Sequence, residues 1–364
     1  MSFLTPDFST LTGIGIITWE METATPLCIK SGTTSLWNQA SSTMEKKPSK
    51  IRHVDSEYNF YKKGPLADDA SISDFYYTIA IDQEQLVLTH EIPASGIRGA
   101  LRTYSIKRLA HKEHWNAALF PEKENTKLPI EATKERDDLK RIEYSKNLKT
   151  ALKTPGWQLV RNIFGLAADT MDAEIENETI KGRLQVETGS LESISKEQFQ
   201  KNVFDGNFKT FEPGPTNGRM LFTTRNPIDR VTHAAKNKGL HSFTELAPGN
   251  RFLITLRFLN PIPEDLGMVA LWEQGLHQGL LRMGGLKSAG RGRLDVKSTS
   301  VNLFLKHTDE FSGLKPGAAE VFSNDILSGL FPSFEIPDWK TETKSYLNLL
   351  QQSYNRFQGG KIHE

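Results

Sequence analysis

The chain has 364 residues, long enough for one large domain or two ordinary ones. It is 37% hydrophobic and 24% charged with a formal net charge of +1, so any anion-binding surface must come from local clustering. No run of about 18 apolar residues argues for a membrane span, and the opening "MSFLTPDFSTLTG" lacks the basic-then-apolar order of a signal peptide. A single cysteine, Cys28, excludes an internal disulfide and a multi-cysteine zinc site; it reads as a buried small hydrophobe, and a cytoplasmic location is the default expectation.

In chain order, "GIGIITW" (13–19) reads as a short buried strand. Residues 38–73 are polar, and their pattern fits neither a long helix nor a regular strand, so they read as a long excursion. "FYYTIAI" (75–81) is aromatic and β-branched, as strands are. In residues 95–115 the spacing of Ile97, Leu101, Ile106 and Leu109 predicts an amphipathic helix with Ser95 as its cap. Residues 122–153 carry nine basic and seven acidic side chains, well mixed, and read as a solvated helical insertion. "GWQLVRNIFG" (156–165) reads as a short helix closed by glycine, and "KGRLQVETG" (181–189) as a strand. "RFLITLRFL" (251–259) alternates most clearly, with Phe252, Ile254, Leu256 and Phe258 on one face. An amphipathic helix, "DLGMVALWEQGLHQGLLRM", then leads into a loop, and the strand "LDVKSTSV" follows it. The helical "YLNLLQQSYNRF" lies in a C-terminal extension, 313–364. Helices interleaved with alternating strands place the chain in the α+β class.

Three stretches carry chemistry. "GLLRMGGLKSAGRGRL" (279–294) has five glycines, four basic side chains and no acid. Gly284, Gly285, Gly290 and Gly292 allow positive φ or close backbone approach. Arg282, Lys287, Arg291 and Arg293 supply charge, and Ser288 a hydroxyl; together they suit phosphates. The spacing is not that of a Walker A loop, and a solvent-facing helix-to-strand turn is the plainer alternative. "EIPASGIRGALR" (91–102) sets Arg98 and Arg102 four apart on one helix face, with Lys107 and Arg108 beyond, near a helix N-terminus whose N–H groups favour anions; an ordinary capped helix would look the same. "RNPIDRVTHAAKNKGLHSF" (225–243) mixes Arg225, Arg230, Lys236 and Lys238 with Pro227 and β-branched residues. It fits a ribbon reaching along a nucleic-acid strand, or a plain surface hairpin.

In this order the stretches resemble the Cas7 family of CRISPR effector subunits, the RAMP proteins of type III systems. The family's "IPGSSLKGALR" stands here as "IPASGIRGALR", and its "lFG…GrL" as "NIFG" followed by "KGRLQV". Its thumb "RvaidRvTgaA…LF" stands as "RNPIDRVTHAAKNKGLHSF", and its "lGgkksrGyGrl" as "MGGLKSAGRGRL". The signature's usual glycine and first serine become Ala94 and Ser95, followed by Gly96.

The resemblance implies a ferredoxin-like, RNA-recognition-motif-type antiparallel sheet over 1–312, with insertions near 30–72 and 122–153 and a thumb near 205–243. It implies binding of a CRISPR RNA guide through Ser95, Arg98, Arg102, Gly284, Gly285, Lys287, Ser288, Arg291 and Arg293. Arg225, Arg230 and His233 would act from the thumb, which would wedge between bases of the guide–target duplex. The implied partners are target RNA and other Cas7-like, Cas5-like, Cas11-like and Cas10-like subunits, with no membrane. Active members cleave target RNA with one aspartate and a divalent metal such as Mg²⁺. By position Asp74 matches, with Asp69, Asp68 and Asp55 as alternatives; it would also be the metal ligand. A non-cleaving structural or capping subunit is the rival. A stand-alone guide-processing endoribonuclease is a further one, as is a nucleotide-binding enzyme, which the missing Walker spacing argues against. His111 and His114, three apart, suit a metal pair or ordinary packing.

Overall fold

The computed structural model describes residues 10–38, 43–46, 71–82, 85–109, 155–165, 181–191, 220–225, 241–317 and 331–359. At its centre lies β1 (Gly13–Thr23), flanked antiparallel by β11 (Arg251–Leu259) and β12 (Leu294–Leu305). The period-two pattern sets the register. Ile17, Trp19 and Met21 of β1 point into the core with Phe252, Ile254, Leu256 and Phe258 of β11. A one-residue slip would turn all of them outward.

Beyond β11 come β7 (Leu184–Val186) and β8 (Gly189–Leu191), then β6 (Gln85–Ile92) and β5 (Tyr77–Asp82). β14 (Ser333–Glu335) and β13 (Lys315–Pro316) complete the other edge. The motif strands come in the chain order β1, β7/β8, β11, β12, with a helix in each crossover, and stand side by side as β12-β1-β11-β8. That is the ferredoxin-like arrangement. The strand expected over 181–189 is two short strands, and the one expected over 75–81 breaks at Tyr76.

Four helices are described: α1 (Ala94–Leu109), α2 (Pro155–Phe164), α3 (Pro263–His277) and α4 (Trp339–Gly359). Trp272 of α3 joins three elements to the sheet. Its ring stacks 6.5 Å from Phe258 and meets Trp19 edge-on at 6.4 Å and Phe164 at 5.8 Å, while its Nε1 donates to Ser105 Oγ of α1 at 2.8 Å. Burying such a ring is worth about 1.5–3 kcal/mol, and each aromatic pair roughly 0.5–1.5 kcal/mol more.

The expectation of an amphipathic α3 is corrected. The helix is buried nearly all round and stops at His277, because α4 covers the side the sheet does not. Two glycines admit its neighbours. A Cβ on Gly267 would lie 2.7 Å from Leu350 Cβ, and one on Gly275 would collide with the Tyr104 ring of α1. The buried Arg183–Asp265 ion pair, 2.7 Å, ties β7's approach to the first turn of α3, where Asp265 Oδ2 also accepts from the Ile262 N–H. Burial pushes the Asp265 carboxyl up to about 6, against the pull of Arg183.

The second sheet holds β2 (Lys30–Asn38), β3 (Thr43–Lys46), β4 (Ser71–Phe75), β9 (Met220–Arg225) and β10 (His241–Leu246), in the order β3-β2-β4-β10-β9. The reading of 38–73 as irregular is corrected at both ends, where β2 pairs with β3 on one side and β4 on the other. The short β3 and β4 are defined by their partner more than by their own pattern. The chain crosses between sheets at Tyr76, whose N–H donates to the Ile29 carbonyl at 2.7 Å. The insertion expected at 122–153 lies outside the described residues.

Glu273 of α3 is the joint between α4 and the core. Its carboxylate accepts from Trp19 Nε1 at 2.7 Å, Thr299 Oγ1 at 2.8 Å and Trp339 Nε1 at 2.8 Å. Burial raises its pKa, and the three hydrogen bonds oppose that. A raised carboxyl contributes stability that is full below the unfolded value, about 4.3 for Glu, and is lost as pH rises through the folded value. Asp265 acts with the same sign. We expect Glu273→Gln to keep an acceptor for Trp19 and Thr299 but to present a donor to Trp339, costing about 1–3 kcal/mol. Its stability should also fall less steeply than wild type as pH rises above about 4.3. Urea unfolding at several pH values checks both; identical midpoints and pH slopes would exclude Glu273 as the joint.

Candidate nucleic-acid interface

α1 starts where a proline fixes the preceding backbone. The Pro93 carbonyl accepts from Gly96 N–H at 2.8 Å and Ile97 N–H at 3.1 Å, so Pro93, not Ser95, takes the cap position. Ser95 instead lies in the first turn and is exposed. Ile97, Ala100, Leu101, Tyr104 and Ser105 form the buried stripe. That leaves Arg98, Arg102, Lys107 and Arg108 exposed.

Arg98 donates to the Phe164 carbonyl, at the C-terminal, negative end of α2. Arg102, one turn on, has its pKa lowered by partial burial and then by Arg98. Arg108 donates to Tyr104 Oη at 3.1 Å and lies 5.4 Å from that ring's centroid. The signature helix thus presents four exposed cations on one helix.

The glycine-rich loop follows α3 and doubles back. Met283 N–H donates to the Gly292 carbonyl at 2.9 Å, and a 3₁₀ turn (Lys287–Ala289) forms the tip. The turn is entered through Leu286 at φ 56° and left through Gly290 at φ 81°. The loop lies directly on the segment after β1: Gly285 N–H donates to the Cys28 carbonyl at 2.7 Å and Gly292 N–H to the Pro26 carbonyl at 2.9 Å. A Cβ on Gly284 would come 2.5 Å from the Cys28 carbonyl, and one on Gly292 would run into the Met283 carbonyl. Glycine is therefore needed twice over at these two positions, for φ (72° and 80°) and for space.

Gly284, Gly285, Lys287 and Ser288 are exposed at this tip. Lys287 has its pKa lowered by partial burial and then by Lys107 of α1. The loop and the signature helix thus bring like charges within reach of each other. Two cations held together favour an anion between them.

The other cations of the loop are engaged. Arg282 Nε donates to the Gly279 carbonyl at 2.9 Å, and Arg293 Nε to Asp295 at 3.3 Å. Arg291 pairs with Glu245 of β10, whose side chain is fully buried, at 3.1 Å. Glu245 was not singled out from the sequence. Its one signal there is a carboxylate between Phe243 and Leu246, in a stretch that the structure buries from Phe243 to Ala247.

The hairpin expected over 225–243 has its stem in the structure: β9 and β10 pair antiparallel, with His241 opposite Arg225, whose side chain is exposed. Arg230 and His233 lie outside the described residues, as do Asp55, Asp68, Asp69, His111 and His114. Asp74 belongs to β4, between β2 and β10 in the sheet that carries the hairpin stem. Among the described residues no group of three or more His, Cys, Asp or Glu is placed to hold a metal ion. Cys28 is buried as expected, and burial, then Glu245, pushes its thiol up to about 11.

Gly290 and Gly292 separate the loop's two demands. A Cβ on Gly290 meets open space, so Gly290→Ala should cost only the left-handed backbone penalty, about 1–2 kcal/mol. Gly292→Ala must also displace the Met283 carbonyl, so it should unfold at a clearly lower temperature and lose exchange protection at the Gly285 amide. Equal losses in both variants would mean that the loop is not packed on its base as described.

Among the described residues no helix is long and apolar enough to cross a membrane. No curated protein matches the sequence. The family model of the RAMP superfamily matches residues 20–295, from β1 through the glycine-rich loop to the start of β12, and so includes every element of the surface described above. Membership of this family suggests a CRISPR-associated RNA-binding subunit. With its ferredoxin-like sheet and a match over most of its length, the chain belongs to the RAMP superfamily.

Proposed function

We propose that the chain is a CRISPR RNA-binding backbone subunit of a type III effector ribonucleoprotein. The observation that carries this reading is the glycine-rich tip, where Gly284 and Gly285 expose bare backbone beside the exposed Lys287 and Ser288, with Lys107 of the signature helix near enough to act on the charge of Lys287. Exposed cations, the Ser95 and Ser288 hydroxyls and the bare backbone of Gly284 and Gly285 form a surface suited to successive phosphates. Arg98, Arg102 and Arg293 extend it, Arg291 shapes it, and Arg225 leads from it into the hairpin. Such a surface reads backbone shape, so it takes guides of any sequence. Cas7-like, Cas5-like, Cas11-like and Cas10-like subunits and target RNA are the partners of this reading.

RNA affinity measured against salt tests it. Lys287→Ala should weaken binding to all single-stranded guides alike and reduce the log–log salt slope by about 0.7; Lys107→Ala should do the same. Unchanged affinity and slope in both would remove the phosphate reading.

A second reading adds target-RNA cleavage by Asp74 with a divalent metal. It is favoured by the place of Asp74 in β4, beside the strand that ends the hairpin. A carboxylate there would assist deprotonation of an attacking 2′-hydroxyl, and the metal would supply charge stabilisation. In assembled complexes Asp74→Ala should abolish one cut per copy while leaving guide and target binding intact. If Asp69→Ala or Asp55→Ala does so instead, the residue is wrong. If every cut survives all of these, the chain is the non-cleaving structural or capping member.

A further inference from the structure

Every nitrogen of the Arg291 guanidinium is already engaged. Nε donates to Glu245 Oε1 at 3.1 Å, Nη2 to Glu245 Oε2 at 3.3 Å and Nη1 to the Ala289 carbonyl at 3.4 Å. Glu245 is equally committed, since Oε2 also accepts from Thr223 Oγ1 of β9 at 2.8 Å. The acid is fully buried and the arginine mostly so, at 0% and 28% side-chain exposure. The pair therefore spans from the tip of the glycine-rich loop to both strands of the hairpin stem.

Between the two lies the short segment after β1. Leu27 exchanges backbone hydrogen bonds with Leu246 of β10 at 3.0 and 2.9 Å. Its neighbours Pro26 and Cys28 accept from Gly292 and Gly285 of the loop. Backbone and side chain thus join the same three elements by separate routes.

We propose that Glu245 and Arg291 are positioning residues: the buried pair locks the glycine-rich loop to the base of the hairpin, and Arg291 serves the anion surface by holding its shape, not as a phosphate ligand. This rests on the phosphate reading of the loop. It ties the loop's geometry to the hairpin stem, so a disturbance at one is felt at the other. An arginine is the right residue because its planar fork meets both carboxylate oxygens at once; a lysine would satisfy one.

Charge and position predict opposite outcomes here. If only charge mattered, removing the buried carboxylate would make the loop more positive and tighten RNA binding. If the pair holds the loop, removing either partner leaves the other buried and unpaired, disorders the loop and weakens binding.

The test uses the full chain, single-stranded RNA across a salt series, and amide exchange without RNA. Glu245→Ala and Arg291→Ala should each weaken binding by about tenfold through lost pre-organisation while leaving the salt slope unchanged, and the double variant should be no worse than either. Arg291→Lys, which keeps the charge, should fail to restore affinity. Both alanine variants should raise amide exchange at Gly285 and Gly292, where Lys287→Ala should not. Where alanine at Glu245 unfolds the protein, Glu245→Gln and Arg291→Lys carry the same comparison with smaller exchange changes of the same sign.

The proposal is overturned if Arg291→Ala lowers the slope by about 0.7 while Glu245→Ala binds as well as wild type or better. It is also overturned if loop exchange is unchanged in both. Should Lys287→Ala leave affinity and slope untouched, the phosphate reading of the loop fails by itself, and the exchange data still decide whether the pair positions it.

Discussion

The structure turns on one close approach, the glycine-rich loop resting on the backbone of Pro26–Cys28 with no side chain between them. A Cβ on Gly284 would break that contact, and one on Gly292 would break the loop's own closure at Met283. Because residues 26–28 also hand a backbone pair to β10 at Leu246, the same few residues fix the loop against the central sheet and against the hairpin stem. The exposed Lys287 is carried on this docked loop, and α1 is seated by the notch at Gly275. A surface of exposed side chains is thereby carried on a backbone with little room to move.

Charge is distributed to the same end. On the outer face of the central sheet, Glu20 and Glu22 of β1 answer Arg251 of β11 and Lys297 of β12, and Arg257 answers Glu187. These pairs are exposed and each is worth roughly 0–1 kcal/mol. Their effect is to cancel one another locally. With acids spent there, a chain of net charge +1 leaves Lys107 and Lys287 without an ion pair among the described residues, whereas Glu245 and Asp295 answer Arg291 and Arg293 of the loop.

Much of this was legible in the sequence. The alternation over 251–259 gives β11 with its buried face correct, and the spacing of Ile97, Leu101 and Leu109 gives the inward stripe of α1. The glycines of 284–292 announce positive φ, as found. What stayed hidden depends on distant partners. α3 reads as amphipathic because nothing in residues 263–283 says that Tyr346 and Leu350 will cover its other side. β3 and β7 are too short to show a period, and β2, KSGTTSLWN, has too few apolar residues to show one. The four cations of the loop look alike in sequence, and only the position of Glu245, on a strand more than forty residues earlier, separates Arg291 from Lys287. Ser95 looks like a cap because its residue type favours one, yet the proline two residues earlier already sets where the helix starts.

The central strand β1 has both neighbours far downstream, beginning at Arg251 and Leu294. During synthesis its apolar edge, Ile14 to Met21, leaves the ribosome long before either partner exists. The closure entropy of so large a loop has to be met before any of its ladder hydrogen bonds form. Folding of the sheet is therefore a late event, gated by the arrival of β11, α3 and β12, and the nascent chain carries an unpaired, aggregation-prone strand until then. The same strand leads straight into Pro26–Cys28, so the seat of the glycine-rich loop is among the last parts of the molecule to be built.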